Sequence, residues 1–170
     1  MDILESILEG REKRYDLLLK LLERFKRPLL VLTLNYPGVN KINDISRFIF
    51  SEALKSIDIF SFILTIQEEG PAGFCLIGLL SEDPLQAKLK AVKIEEEHPL
   101  GRLFDIDIID YPFRILSRRD LGFKVRACIL CGREASECII ERRHSLSELL
   151  TKIENMVRVY NERNCHLRDK

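Results

Sequence analysis

Two carboxylates separated by one residue, Asp105 and Asp107, lie in Leu103–Ile109, a stretch otherwise rich in branched aliphatic residues. In a strand, residues i and i+2 leave the same face, so both acids point one way while Ile106 points into a core. Adjacent carboxylates repel each other and favour a cation between them. Mg²⁺ suits such a pair, because it takes one or two carboxylates and completes its shell with water and phosphate oxygens. Polymerases and nucleotidyltransferases use a pair of this kind. Arg102 precedes the strand, and Arg118-Arg119 follows the apolar run Phe113–Ser117. Guanidinium groups bind phosphate oxygens two at a time and stay charged at any working pH. His98-Pro-Leu-Gly101 reads as a tight loop that brings backbone N–H groups near a ligand.

The charge pattern agrees with a divided site. From Gln67 to Asp110 there are ten acids and four bases, and from Arg114 to His144 eight bases and four acids. Either these are two solvated faces that attract each other, or they line a cleft with carboxylates on one wall and guanidinium groups on the other. Such a cleft holds a cation and a polyphosphate together.

A second constellation is Cys128-x2-Cys131-x6-Cys138-x5-His144, four soft or borderline ligands within seventeen residues. It matches a tetrahedral structural Zn²⁺ site of the Cys₃His type, with Gly132 permitting the sharp turn of a knuckle over 126–145. The plain alternative is three small buried thiols beside a helix-capping His. Cys75 and Cys165 read as a core filler and a tail residue.

The elements that must position these residues follow from periodicity. Residues 2–27 read as a helix with Leu4, Leu8, Tyr15, Leu18, Leu22 and Phe25 on one face and Arg11 on the same seam. Pro28 ends it, and Leu29–Tyr36 is a strand. Asn43 or Asp44 caps a helix that buries Ile45, Phe48, Ile49 and Ala53. Ile59–Ile66 and Phe74–Leu80 form a hairpin through Glu69–Gly73. Asp83-Pro84 opens a helix that runs to about Glu97, and the strand with the acid pair follows. Phe113–Ser117 pairs with that strand through Asp110-Tyr111-Pro112. Ala135–Arg143 is a weak helix, and Ser145-Leu-Ser-Glu148 is a capping box that starts the last one. The class is α+β: a mostly antiparallel sheet of four to five strands, with a βαββαβ core of the palm or ferredoxin-like kind and added N- and C-terminal helices.

Composition sets the outer bounds. With 170 residues, 46% apolar and 32% charged, one domain over 1–170 is expected, of nucleotidyltransferase-like character. Twenty-seven bases cancel twenty-seven acids, so neither nucleic acid nor an anionic membrane is an expected partner. The opening MDILESILEGREKR has no basic segment leading into an apolar run, and no signal peptide is expected. An odd count of five Cys, three of them within eleven residues, suits a reducing, cytoplasmic setting.

The stretch His98-Pro-Leu-Gly-Arg-Leu-Phe-Asp-Ile-Asp-Ile-Ile109 resembles the signature of the apo-citrate lyase phosphoribosyl-dephospho-CoA transferases, the holo-acyl-carrier-protein synthases of citrate lyase. The resemblance continues through Ile115-Leu-Ser-Arg-Arg-Asp120, Arg126-x-Cys-x-Leu-Cys131, Cys138 and His144-Ser145. Upstream it takes in Arg11-Glu-x-Arg14, Pro37-Gly38, Gly70-Pro-x-Gly73 and Lys88. Departures are mild: Phe104 stands where Trp is common, Ala53 where Gly is, and Lys93 where an acid is.

The resemblance implies transfer of triphosphoribosyl-dephospho-CoA to a Ser hydroxyl of the citrate lyase acyl-carrier subunit, with release of pyrophosphate. It implies Mg²⁺ on Asp105 and Asp107, and phosphate contacts from Arg102, Arg118, Arg119 and Lys88, with Arg11 and Arg14 among the basic set. His98 would take the Ser proton. The competing readings are the same transfer to a malonate decarboxylase carrier, and a non-catalytic zinc-knuckle adaptor that docks an acyl-carrier protein.

Overall fold

The structure is a computed structural model that describes residues 2–168. The first helix, α1 (Ile3–Phe25), starts where the Glu5 carboxylate accepts the Asp2 N–H at 3.1 Å. It ends before Pro28, because Lys26 adopts the left-handed conformation and its N–H closes on the Leu22 carbonyl. Then come β1 (Leu29–Leu34), α2 (Asp44–Ser56), β2 (Phe62–Gly70), β3 (Gly73–Leu80), α3 (Pro84–Glu97), β4 (Phe104–Asp110) and β5 (Arg114–Ile115). Short α4 (Ala135–Ile140) and long α5 (Leu146–Arg168) complete the chain.

The five strands form one antiparallel sheet in the order β2-β3-β1-β4-β5. The first four are the βαββαβ arrangement expected from the sequence, and β5 adds a two-residue edge. The β2–β3 ladder continues to Gly70↔Gly73, so the hairpin loop is only Pro71-Ala72, tighter than the expected Glu69–Gly73 turn. Gly73 permits this through φ +92. Ile59, expected to open β2, instead closes a turn of 3₁₀ helix over Ile57–Ile59.

Alternation along the strands divides the core between the two faces of the sheet. Leu30, Leu32, Phe104, Ile106 and Ile108 pack against α2, α3 and α5 through Ile49, Phe50, Ala91, Ile153 and Val157. Leu29, Val31, Ile77, Leu79 and Ile109 meet α1 through Leu18, Leu21 and Leu22. The buried face of α1 therefore differs from the expected seam. Leu4, Leu8 and Tyr15 are half-exposed or more, whereas Ile7, off that seam, is buried. Further along, Gly10 passes close to the β2–β3 turn, where a Cβ would stand 3.1 Å from that of Ala72.

The outer edge of β4 is sealed in an uncommon way. Beyond Leu116, whose N–H reaches the Ile108 carbonyl at 2.9 Å, no strand accompanies β4. Helix α3 runs alongside instead. Its Glu95 carboxylate accepts the Ile106 N–H at 2.9 Å, and its Lys88 ammonium donates to the Ile106 carbonyl at 3.2 Å. Two side chains thus satisfy backbone groups that a further strand would otherwise have paired. Gly101 lets the chain turn tightly from α3 into β4: a Cβ there would stand 2.5 Å from the Ile94 carbonyl oxygen and 2.7 Å from that of Glu95.

The division of α1 sets an expected contrast in stability. Leu22→Ala, at a site 1% exposed, should cost about 2–5 kcal/mol in urea denaturation. Leu8→Ala, at a site 58% exposed, should stay within about 0.5 kcal/mol of the parent. Equal losses would contradict this assignment of the buried face.

Candidate active site

Asp105 and Asp107 project from the sheet face that α1 only partly covers, opposite Thr33 and Val31 in the ladder. They form the floor of a cavity of about 1270 Å³. One wall carries Arg11 and Arg14 of α1 with Lys41, and the other is built by the segments around Arg118 and Arg126. The strand period of two brings both acids to one face, and β4 buries Ile106 and Ile108 completely on the other.

The acids are not bare. Asp105 accepts from Arg126 Nη1 at 2.6 Å and from the Thr33 hydroxyl at 3.3 Å. Asp107 has only the Lys88 ammonium, 3.9 Å away. Burial pushes the Asp107 carboxyl above the usual carboxylate range, and the Asp105 charge pushes it further. Burial likewise lowers the Lys88 ammonium, with Asp107 and Glu95 opposing. A carboxylate held unwillingly ionised beside another fits a cation site, and the aspartates are hard oxygen donors open to the cavity.

Glu95 ties this group together. It is 1% exposed and takes one guanidinium on each side: Arg118 Nη2 at 2.6 Å, and Arg126 Nη2 in a very short contact. Arg118 also donates to Glu96 at 2.9 Å. A carboxylate desolvated to this degree survives only with such donors around it.

The residues singled out in the sequence therefore divide. Arg102, Arg118, Arg119, Lys88, Arg11 and Arg14 all line the cavity with the acid pair. Within it Arg118 is engaged by Glu95 and Glu96 rather than facing the aspartates, and Arg119 stands at the rim, 3.5 Å from Glu134. His98 is not among the cavity-lining residues. Its Nδ1 accepts the Leu100 N–H at 3.0 Å, and its ring lies against Phe104 and Tyr160 with centroids 4.9 and 5.4 Å away. Burial lowers its affinity for a proton.

Two partners of the acid pair escape a reading of motifs. Arg126 stands in the basic run and opens the Arg126-x-Cys-x-Leu-Cys131 stretch, with no role of its own assigned. Glu95 hides in Glu95-Glu96-Glu97, and its signal is position: it sits seven residues from Lys88 on the apolar stripe of Ala87, Ala91 and Val92. On the α1 side, burial and then the nearby Arg11 charge lower the Lys41 ammonium. The Arg14 Nε is buried without a hydrogen-bond partner. Cations converging on a cavity with a spare donor make a place for an anion.

The Cys128, Cys131, Cys138 and His144 ligand atoms all lie within 4.8 Å of one another, and Cys128, Cys138 and His144 line the same cavity. The Cys131 Sγ is 3.4 Å from both the Cys138 Sγ and the His144 Nε2. Although burial opposes it, N–H groups of Cys131 and Leu130 aimed at the Cys128 sulfur bring that thiol down to about 7. Burial pushes the Cys138 thiol up to about 11. Three sulfurs and an imidazole at this spacing are consistent with zinc.

Comparison with known proteins points to one family. A sequence model of the family described as apo-citrate lyase phosphoribosyl-dephospho-CoA transferase matches residues 3–160. The chain is 35% identical over 166 residues to a Vibrio cholerae serotype O1 protein named "Probable apo-citrate lyase phosphoribosyl-dephospho-CoA transferase", covering 92% of each chain. It is 31% identical over 161 residues to the apo-citrate lyase phosphoribosyl-dephospho-CoA transferase of Citrobacter koseri, covering 89% of this chain and 86% of that one. The protein of the same name from Escherichia coli O139:H28 is 30% identical over the same spans.

The charge network predicts two opposite responses. Glu95→Ala leaves two guanidinium groups and the Ile106 N–H without their shared acceptor, and should cost about 3–5 kcal/mol in urea denaturation. Asp107→Asn should stabilise the protein at neutral pH. The native carboxyl holds its proton more tightly than the unfolded one, so ionised Asp107 weakens the fold above its unfolded pKa. The gain should be complete above the folded pKa and vanish as pH falls below the ordinary aspartate value. A destabilised Asp107→Asn at neutral pH would contradict this assignment.

Proposed function

We propose, because this chain belongs to the apo-citrate lyase phosphoribosyl-dephospho-CoA transferase family, that it moves triphosphoribosyl-dephospho-CoA onto a Ser of the citrate lyase acyl-carrier subunit and releases pyrophosphate. The bond that forms joins the Ser oxygen to the phosphorus nearest the ribose. The bond that breaks frees the two outer phosphates, and the Ser proton passes to solvent or to a base. The observation that carries this reading is the co-location, in one cavity of about 1270 Å³, of two strand-borne aspartates with basic side chains from α1, α3 and the segments around 41, 102, 118 and 126.

Asp105 and Asp107 would hold Mg²⁺, which when bound supplies positive charge to phosphate oxygens. The protein's own groups do the rest of the positioning. Arg11, Arg14 and Lys41 face the floor and would take the outer phosphates. Lys88 and Arg126 neutralise the aspartates until the substrate arrives. Arg102 and Arg118 hold the basic wall in place, and Arg119 meets the incoming chain at the rim. Transfer at phosphorus rests chiefly on position and charge, and the cavity offers both. At the Cys₃His cluster a structural Zn²⁺ would have four protein ligands and no open position.

The test is one incubation of protein, apo-carrier, Mg²⁺ and triphosphoribosyl-dephospho-CoA, read by intact mass. The carrier should gain the prosthetic group and pyrophosphate should appear. Asp105→Asn should cut transfer by orders of magnitude, since charge stabilisation by a bound metal is worth several kcal/mol. Undiminished transfer by that variant, or wild-type transfer untouched by EDTA, would remove the two-carboxylate site from the mechanism.

A further inference from the structure

The stretch 126–144 has too little packing to hold its own shape. Of its nineteen residues only Cys138 is buried, while Ile139 and Ile140 are 76% and 81% exposed. Yet it is built as a defined unit. The Ala135 N–H bonds to the Arg126 carbonyl at 2.9 Å, Ala127 bridges Glu134, and the Cys128 N–H meets the Arg133 carbonyl at 2.6 Å. Gly132, at φ +74, turns the tip so that its N–H reaches the Cys128 carbonyl at 3.1 Å. A hairpin of this length with so little buried apolar surface needs a cross-link to persist.

The four ligands sit where a cross-link would act. Cys128 and Cys131 occupy the hairpin tip, Cys138 lies on α4, and His144 stands just before α5, which enters the main core through Ile153 and Val157. The base of the hairpin is Arg126. Its guanidinium leaves the hairpin for Asp105 and Glu95, and Arg102 steadies the same base by donating to the Ala127 carbonyl. The path from the ligand cluster to the acid pair is thus two residues of backbone and one side chain.

We infer that zinc bound by Cys128, Cys131, Cys138 and His144 is a positioning element of the cavity: it fixes the hairpin from which Arg126 is presented to Asp105 and Glu95. The inference deepens the transferase reading and rests on it for its kinetic consequence alone. Loss of the metal would leave the five-stranded core intact, because the hairpin gives the main core only the partly buried Ile129. It would release Arg126 from the aspartate it neutralises.

Three measurements test this. Protein purified without chelator should hold about one zinc per chain, and cobalt in its place should show the visible absorption of a tetrahedral thiolate site. Cys131→Ser and, as a milder change, His144→Ala should lose metal while keeping the circular dichroism of the parent.

Second, a stability cycle of Arg126→Ala against Asp105→Asn should show coupling in the metal-loaded protein and lose most of it in the Cys131→Ser background. Third, transfer should fall about 100-fold in Cys131→Ser, the scale of a misplaced group, with little further loss when Arg126→Ala is added. Zinc below a tenth of an equivalent with no cobalt spectrum would overturn the site. Coupling that survives metal loss, or additive losses of transfer, would overturn the positioning role. The first two measurements use no substrate, so a wild-type protein without transferase activity would sink the functional reading and leave this one still decided.

Discussion

A single buried carboxylate organises this molecule. Glu95 accepts the Ile106 N–H, which the short fifth strand leaves open on β4, so it fastens α3 to the sheet edge. It also collects guanidinium groups from two later segments, at 118 and 126, and holds them beside the acid pair. Desolvating that charge costs several kcal/mol, offset only while all three donors are present. Sheet edge, helix and basic wall therefore stand together. A fold that ended its sheet with a longer β5 would have paired Ile106 conventionally and kept no carboxylate there to recruit the arginines.

The same network sets the terms on which the cavity would meet a polyphosphate. Its acid side is already balanced internally: Arg126 sits on Asp105, Lys88 faces Asp107, and Arg118 lies between Glu95 and Glu96. Under the proposed function, a cation entering between the aspartates would displace or share contacts rather than fill an empty charge. Asp107, half-open and disfavoured as an anion, would be its point of entry, and Asp105, doubly bonded, its anchor. The two acids look equivalent in sequence, and their neighbours make them different.

Much of this was legible from the chain alone, for reasons of periodicity. The period of two around Ile106 placed both acids on one sheet face, and the caps at Asn43, Asp83 and Ser145 marked helix starts that the structure keeps. The βαββαβ core followed from the alternation of strands and helices. What could not be read was pairing across distance. Arg118 and Arg126 have the same chemistry, and only the path of the chain decides that one meets Glu95 and Glu96 and the other Asp105. The face of α1 was misjudged because apolar spacing shows where a helix is able to pack, whereas the sheet meets Leu18, Leu21 and Leu22, and it is Ile7 rather than Leu4 or Leu8 that is buried nearer the start. His98, chemically suited to move a proton, lies against Phe104 and Tyr160 because α3 ends there and the chain turns inward.

The placement of the basic side chains of α1 carries a kinetic meaning. Arg11 and Arg14 line the cavity, and with Lys41 they add positive potential that no carboxylate within ion-pair reach cancels among the described residues. The acid floor, by contrast, is nearly neutral when seen from a distance. Under the proposed function an approaching polyanion would be drawn by the helix first and meet the aspartates last. Potential of this kind fades over about 8 Å at physiological ionic strength. Salt thus governs how fast such a molecule is captured far more than how firmly the inner contacts hold it.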